Sequence, residues 1–212
     1  MDYSKEYSEK LVSADEAVKC VKSGDWVDYG LCLSVPVALD AALAKRKEEL
    51  SDIKIRSAIV STPMKVMEAD PNSETFTYMD WHWTGYIRKM VKQGVRVYFI
   101  PLIYRNMPLH YRKDLSVNVA MLAVSPMDEQ GYFSFSLANS AAKAICETAD
   151  IVILEANKNL PKVYGVKDDC IHISEVDYVV ETDSALPVTP PAGEPSEIDK
   201  KIAQYVVDEI HG

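Results

Sequence analysis

"VNVAMLAVSPMDEQGYFSFSLANSAAKAICETADIVILE", residues 117–155, decides how the chain is read. Val117 to Val124 is an apolar run that breaks into Ser125-Pro126-Met127-Asp128 and turns at Gly131. Tyr132-Phe133-Ser134-Phe135 then alternates, small polar residues open a helix, and Ile151 to Glu155 resumes as a second apolar run. Apolar runs of this length, separated by helix signals, predict strands buried on both faces of a parallel sheet.

The same alternation extends toward the N-terminus. Ser13-Ala14-Asp15-Glu16 is a capping box, followed by Ala17, Val18 and Val21 at helical spacing and closed by Gly24. Trp26 to Leu33 reads as a strand, and Pro36 opens the helix "PVALDAALAKR" at a position where its missing N–H costs nothing. Ile53 to Val60 is strand-like, Met64 to Ala69 a short helix or turn, and Phe76 to Met79 a short strand. Trp83 to Lys92 is helical up to Gly94, and Val95 to Ile100 is a further β run. The fold class is α/β: an open, mostly parallel sheet with helices on both faces.

Toward the C-terminus the rhythm changes. "IHISEVDYVVE" (171–181) predicts two short β segments, suggesting edge strands. Residues 183–195 are rich in Pro and small residues and read as a linker between a domain spanning 1–182 and a helix spanning 196–212. That helix, capped by Ser196, places Ile198, Ile202, Tyr205, Val206 and Ile210 on one face. Either it packs back on the sheet or it begins a second domain absent from this chain.

Composition bounds the function. The 212 residues are 48% hydrophobic and 26% charged, enough for a substantial core. A net charge of −9 argues against a nucleic-acid partner, which needs a basic face. The N-terminus lacks a signal-peptide layout, and no apolar window is long enough for a membrane span. Cys20, Cys32, Cys146 and Cys170 form no CxxC and read as free thiols, which points to the cytoplasm.

Residue types alone leave the chemistry open. Ser136, Asn139 and Ser140 stand where a strand gives way to a helix, fitting helix capping or an anion held on free N–H groups, worth about 0.3–1 kcal/mol each. The four histidines, His82, His110, His172 and His211, show no metal-ligand spacing, so no metal is expected. His82, between Trp81 and Trp83, reads as a packed residue. Arg105, His110, Arg112 and Lys113 gather in one basic stretch that fits a solvated face or an anion contact. Glu155, at the carboxyl end of its strand, fits a catalytic or a structural carboxylate. No GxGxxG, Walker or GxSxG motif occurs.

Six segments together carry a resemblance: "LVSADEAVKCVKSGDWVDYG", "PVALDAALAKR", "VAMLAVSPMDEQGYFSF", "VILEANKNLPKVYG", "IHISEVDYVVE" and "IDKKIAQYVVDEI". In this order and spacing they resemble the N-terminal half of the acetyl-CoA hydrolase/transferase family, in its butyryl-CoA:acetate and 4-hydroxybutyrate CoA-transferase branch. The resemblance implies the CoA-transferase and ribose-phosphate-isomerase-like fold. It also implies transfer of CoA from a short-chain acyl-CoA to a carboxylate such as acetate, through a glutamyl-CoA intermediate.

The family's nucleophilic glutamate and its glycine-rich loop belong to the second half, so no catalytic residue is expected here and the chain alone should be inactive. Coenzyme A thioester is then a substrate, with no covalently bound cofactor. The implied partners are the C-terminal domain and, at full length, a homo-oligomer. The residues implied to line the substrate cleft are Gly30, Leu31, Cys32, Asn106, Met107, Ser136, Leu137, Ala138, Asn139 and Ser140. Family members commonly show Gly-Pro-Ser where Ser136-Leu137-Ala138 stands, and 4-hydroxybutyrate enzymes tend to carry His where Leu31 stands. Leu31 offers no donor to a hydroxyl, which favours an unsubstituted acyl chain. An acyl-CoA hydrolase and a non-catalytic partner-binding subunit are the alternatives.

Overall fold

Seven parallel strands form the main sheet of the computed structural model, which describes residues 2–60, 62–186 and 193–210. Two helices, α1 (Ser4–Lys10) and α2 (Ala14–Ala17), come first, and the Ser13 side chain accepts a hydrogen bond from Glu16 N as the capping pattern predicts. β1 (Trp26–Leu31) runs through a 3₁₀ turn, Cys32–Ser34, into α3 (Val37–Ala44). Then follow β2 (Ile53–Ala58), α4 (Lys65–Ala69), β3 (Phe76–Asp80), α5 (Gly85–Lys92) and β4 (Tyr98–Phe99). α6 (Met107–Lys113), β5 (Val117–Val124), β6 (Tyr132–Ser134), α7 (Ala142–Thr148) and β7 (Ala149–Asn157) complete the central part. β8 (Cys170–His172), β9 (Tyr178–Thr182) and α8 (Glu197–Asp208) are last.

The sheet order is β4-β3-β2-β1-β5-β7-β9. Alternate side chains feed two cores, as the period of a strand requires. Val27, Tyr29, Ile53, Ile55, Val119, Met121 and Ile153 join one, with Leu39 and Leu43 of α3 and Ile87 of α5. Ala120, Leu122, Val124, Val152 and Leu154 join the other, with Met107 and Tyr111 of α6 and Ile145 of α7. Helices therefore cover both faces.

Two expectations need correction, over 95–100 and 26–33. Of the apolar run 95–100 only Tyr98 and Phe99 pair, with Met79 and Asp80 of β3, and both are exposed. The segment lies at the sheet's edge, where ladder partners exist on one side alone, and Pro101 supplies no N–H to extend the pairing. The two short β segments expected over 171–181 are both edge strands: β8 pairs antiparallel with β6 in a separate two-stranded sheet, and β9 forms the main sheet's edge beside β7. The strand expected over 26–33 ends at Leu31, where the chain turns sharply.

Of the linker expected over 183–195, residues 187–192 lie outside the described ones. Residues before them are tied down: Asn157 Nδ2 donates to Ser184 O (2.9 Å) and Asn159 Nδ2 to Asp183 O (2.8 Å). α8 buries none of its residues; Ile198, Ile202, Tyr205 and Val206 are all exposed, so the helix does not pack back on the sheet.

Candidate functional site

β1 is the point from which the chain winds in both directions: β2, β3 and β4 lie to one side, β5, β7 and β9 to the other. The connection after β1 leads to α3 on one face, and the connection after β5 leads to α7 on the other. The carboxyl ends of β1 and β5 therefore open a crevice at a topological switch point, the place where open parallel sheets bind ligands.

The end of β1 is shaped by a break in register between Asp28 and Leu31 against β2. Gly30 takes φ +65° there. A Cβ at Gly30 would stand 2.6 Å from Leu122 Cδ2, so only glycine fits without displacing a neighbour. The bulge has a consequence for every residue after it. Leu31, by count on the same face as Val27 and Tyr29, instead turns to the opposite core beside Ala58, Leu122 and Met107.

A buried polar network holds this bend. Asp28 Oδ1 accepts from Gly30 N (3.0 Å), while Oδ2 accepts from Arg56 Nε (3.0 Å) and Tyr111 Oη (2.6 Å). Arg56 also donates to Ser116 O (2.5 Å) and lies against the Trp26 and Tyr111 rings. Burial pushes the Asp28 pKa up; Arg56, the Tyr111 hydroxyl and the Gly30 amide act in the opposite direction. Sequence reading passed over these residues. Their signal was available: Asp28 and Arg56 are charges set inside the apolar strands "WVDYGL" and "IKIRSA", where an unpaired charge is not tolerated.

The second wall is the 3₁₀ turn Ser136–Ala138. The Ser34 hydroxyl donates to Ala138 O (2.7 Å), locking the turn after β1 to this turn across the crevice. Cys32, Ser136 and Ser140 all take positive φ, at 53°, 56° and 47°. That conformation costs a non-glycine residue about 1–2 kcal/mol and collects where structure serves a site. The Ser136 hydroxyl is consumed by Pro161 O (2.6 Å), so this side chain shapes the backbone and is not free to meet a ligand. Leu137 is exposed. The Asn139 Oδ1 atom is buried and has no hydrogen-bond partner among the described residues.

Leu31 borders a cavity of about 80 Å³ with Ala58, Ile59, Trp81, His82, Leu102, Tyr104 and Met107. Its lining is mainly apolar. Met107 also receives the Ser140 hydroxyl at 3.9 Å, which joins the two groups of expected residues. Asn106 stands at the start of α6, half-buried, with no capping bond from its side chain and no place in this lining.

The remaining candidates resolve differently. His82 is exposed at the cavity's rim rather than packed, and its backbone N–H donates to Asp80 Oδ1. In the basic stretch, Arg112 pairs with Glu147 (2.8 Å) and His110 with Asp114 (2.7 Å). Glu155 is buried against the start of α3 and lines a different cavity from Leu31. No group of three or more His, Cys, Asp or Glu that could hold a metal occurs among the described residues. No helix among them is long and apolar enough to cross a membrane.

An open parallel α/β sheet with a switch point between β1 and β5 defines the class: an α/β domain built to take a ligand at the carboxyl ends of its strands. The alpha subunit of citrate lyase from Streptococcus mutans shares this fold at 16% identity and TM-score 0.60, over 82% of this chain and 37% of its own. The chain belongs to the acetyl-CoA hydrolase/transferase family, whose N-terminal domain model matches residues 1–190. It is 43% identical to the butyryl-CoA:acetate CoA-transferase of Anaerostipes caccae, over 99% of this chain and 47% of that protein. The probable butyrate:acetyl-CoA coenzyme A-transferase of Syntrophomonas wolfei is 39% identical, over 97% and 46%. Among solved structures, RipA from Yersinia pestis superposes with TM-score 0.86 at 27% identity, over 98% of this chain and 50% of its own. The chain spans about half the length of the curated relatives it matches.

Proposed function

We propose that this domain forms one wall of the acyl-CoA cleft of a CoA-transferase that moves CoA from butyryl-CoA, or a similar short-chain acyl-CoA, to acetate. The observation that carries the reading is the crevice itself. The turns after β1 and β6 are locked together by the Ser34–Ala138 hydrogen bond, and the positive φ of Gly30, Cys32, Ser136 and Ser140 in and beside them supports a substrate-binding role for residues 30–32 and 136–140. The unpartnered Asn139 Oδ1 supports a polar ligand there, and the apolar Leu31 cavity supports an unsubstituted alkyl chain. The cavity of about 80 Å³ is well above the roughly 10–15 Å³ that one water needs, so it has room for more than a single water.

In this reading residues 1–182 are the domain, 183–195 a linker, and the helix from residue 196 leads into a second domain that carries the attacking glutamate. That carboxylate attacks the thioester carbonyl, expels CoA as thiolate and leaves a mixed anhydride. The thiolate then attacks the glutamyl carbonyl, releasing butyrate and forming glutamyl-CoA. Acetate repeats the two steps in reverse order and departs as acetyl-CoA, so thioester energy is conserved.

The test is CoA exchange from butyryl-CoA to labelled acetate by the full-length gene product. Acetyl-CoA formed in proportion to acetate is expected, with residues 1–212 alone inert. Butyrate released equally fast without acetate identifies a hydrolase and overturns the transferase reading. Exchange by the 212-residue chain unaided overturns the division of labour.

A further inference from the structure

Glu155 lies within the buried run of β7, two residues before its end, and the chemistry above gives it nothing to do. It is 1% exposed. Its Oε2 accepts from the backbone amides of Ala38 (2.9 Å) and Leu39 (3.0 Å), in the first turn of α3, where the helix dipole favours a carboxylate. Its Oε1 is buried and has no hydrogen-bond partner among the described residues. A cap that served folding alone has no use for an orphaned oxygen, because leaving a buried polar atom unpaired is costly.

A small space lies beside this residue. Glu155 borders a cavity of about 20 Å³ together with Cys32, Leu33, Val37, Asn157 and Leu186. A space this small accepts one water and little else. Cys32 forms part of both this cavity's wall and the crevice, and carries the positive φ that bends the chain between them. Leu186 also lines it, in a segment held to the end of β7 by the Asn157 amide on Ser184 O.

We propose that Glu155 is a positioning residue of the transfer site. It fixes the turn bearing Cys32 through the two amides of α3, and holds one water on Oε1 beneath that turn. The inference rests on the crevice being the acyl-CoA cleft. Burial raises the Glu155 pKa, and a glutamine, neutral with one acceptor and one donor group, reproduces its bonding. Aspartate keeps the carboxylate but is one methylene too short to reach both amides and the cavity.

The experiment compares wild type, Glu155→Gln and Glu155→Asp in the full-length gene product. It reads kcat and KM for butyryl-CoA, the melting temperature, and hydrogen exchange at the amides of Ala38 and Leu39. Glu155→Asp should raise KM about tenfold with kcat changed little, the signature of lost positioning rather than lost chemistry. Glu155→Gln should restore KM to within about threefold of wild type. The two amides should exchange faster in the Asp variant than in the Gln variant. Equal KM values in all three proteins, or losses that only track the melting temperature, overturn the proposal. Should wild type show no exchange of CoA, the transferase reading fails separately, and amide protection still decides the positioning claim: equal protection in both variants sinks it. If the Asp variant does not fold, a high-resolution crystal structure of wild type decides, since an empty cavity at Oε1 removes the water.

Discussion

Asp40→Asn probes a stability cost that the fold accepts beneath the crevice. Asp40 is 1% exposed on α3, and its carboxylate accepts from the amides of Lys65 and Val66 at the start of α4. Its Oδ1 and the Tyr29 hydroxyl are both buried without a hydrogen-bond partner among the described residues. Burial, with a smaller contribution from the Glu155 charge, raises the Asp40 pKa to about 7 from its ordinary 3.8. A carboxyl whose folded pKa lies above its unfolded one binds protons more tightly when folded. The stability it contributes is therefore present at low pH, falls as pH rises from about 4, and is fully lost above about 7.

A carboxyl moved from 3.8 to about 7 corresponds to an upper limit of about 4 kcal/mol. Asparagine keeps an acceptor for the α4 amides and carries no charge, so the variant should match wild type near pH 4 and exceed it by up to about 4 kcal/mol at pH 8. In a domain of this size that is an upper limit of roughly 8–15 °C in melting temperature. Urea unfolding followed by tryptophan fluorescence at half-unit pH steps measures the difference. Asp80, raised by burial to about 6, leaves a slope between pH 4 and 6 in both proteins, and the subtraction removes it. A difference that does not change with pH, or a variant whose relative stability falls between pH 5 and 8, refutes the reasoning.

Arg56→Met strands Asp28 without its cation and should cost about 3–5 kcal/mol, seen as a lower urea midpoint, because a lone buried charge is left behind. Gly30→Ala adds a Cβ 2.6 Å from Leu122 Cδ2 at φ +65°, and should cost about 2–4 kcal/mol by the same measurement. Leu31→His should raise kcat/KM for 4-hydroxybutyryl-CoA relative to butyryl-CoA about tenfold in the full-length gene product, since it brings a donor to an apolar cavity. An unchanged ratio removes Leu31 from the acyl pocket.

The two apolar runs at 117–124 and 151–155 were legible because each side chain of a central parallel strand is buried, which leaves a local and unbroken signal. Capping by Ser13 and Ser196 was legible for a similar reason: the acceptor and its amide lie three residues apart. β4 was over-read, because the sequence of Val95 to Ile100 is as apolar as a core strand, yet its place at the edge leaves Tyr98 and Phe99 exposed. The pairing of β8 with β6 depends on a partner some forty residues away, which no short window contains.

The crevice divides in the same way. From residue types and family likeness alone came the fold class, the family, and three stretches, 30–32, 106–107 and 136–140, expected to meet a substrate. What brings those stretches together is decided by tertiary structure: the Ser34–Ala138 bond spans 104 residues, and the Asp28–Tyr111 bond spans 83. The bulge at Gly30 that turns Leu31 to the other core, and the orphaned oxygens of Asn139, Asp40 and Glu155, exist only once the sheet has closed around them. Periodicity and capping are short-range and repeat, so a sequence displays them. Burial of a charge and the strain of a turn are set by neighbours distant along the chain, so only the folded molecule reveals them.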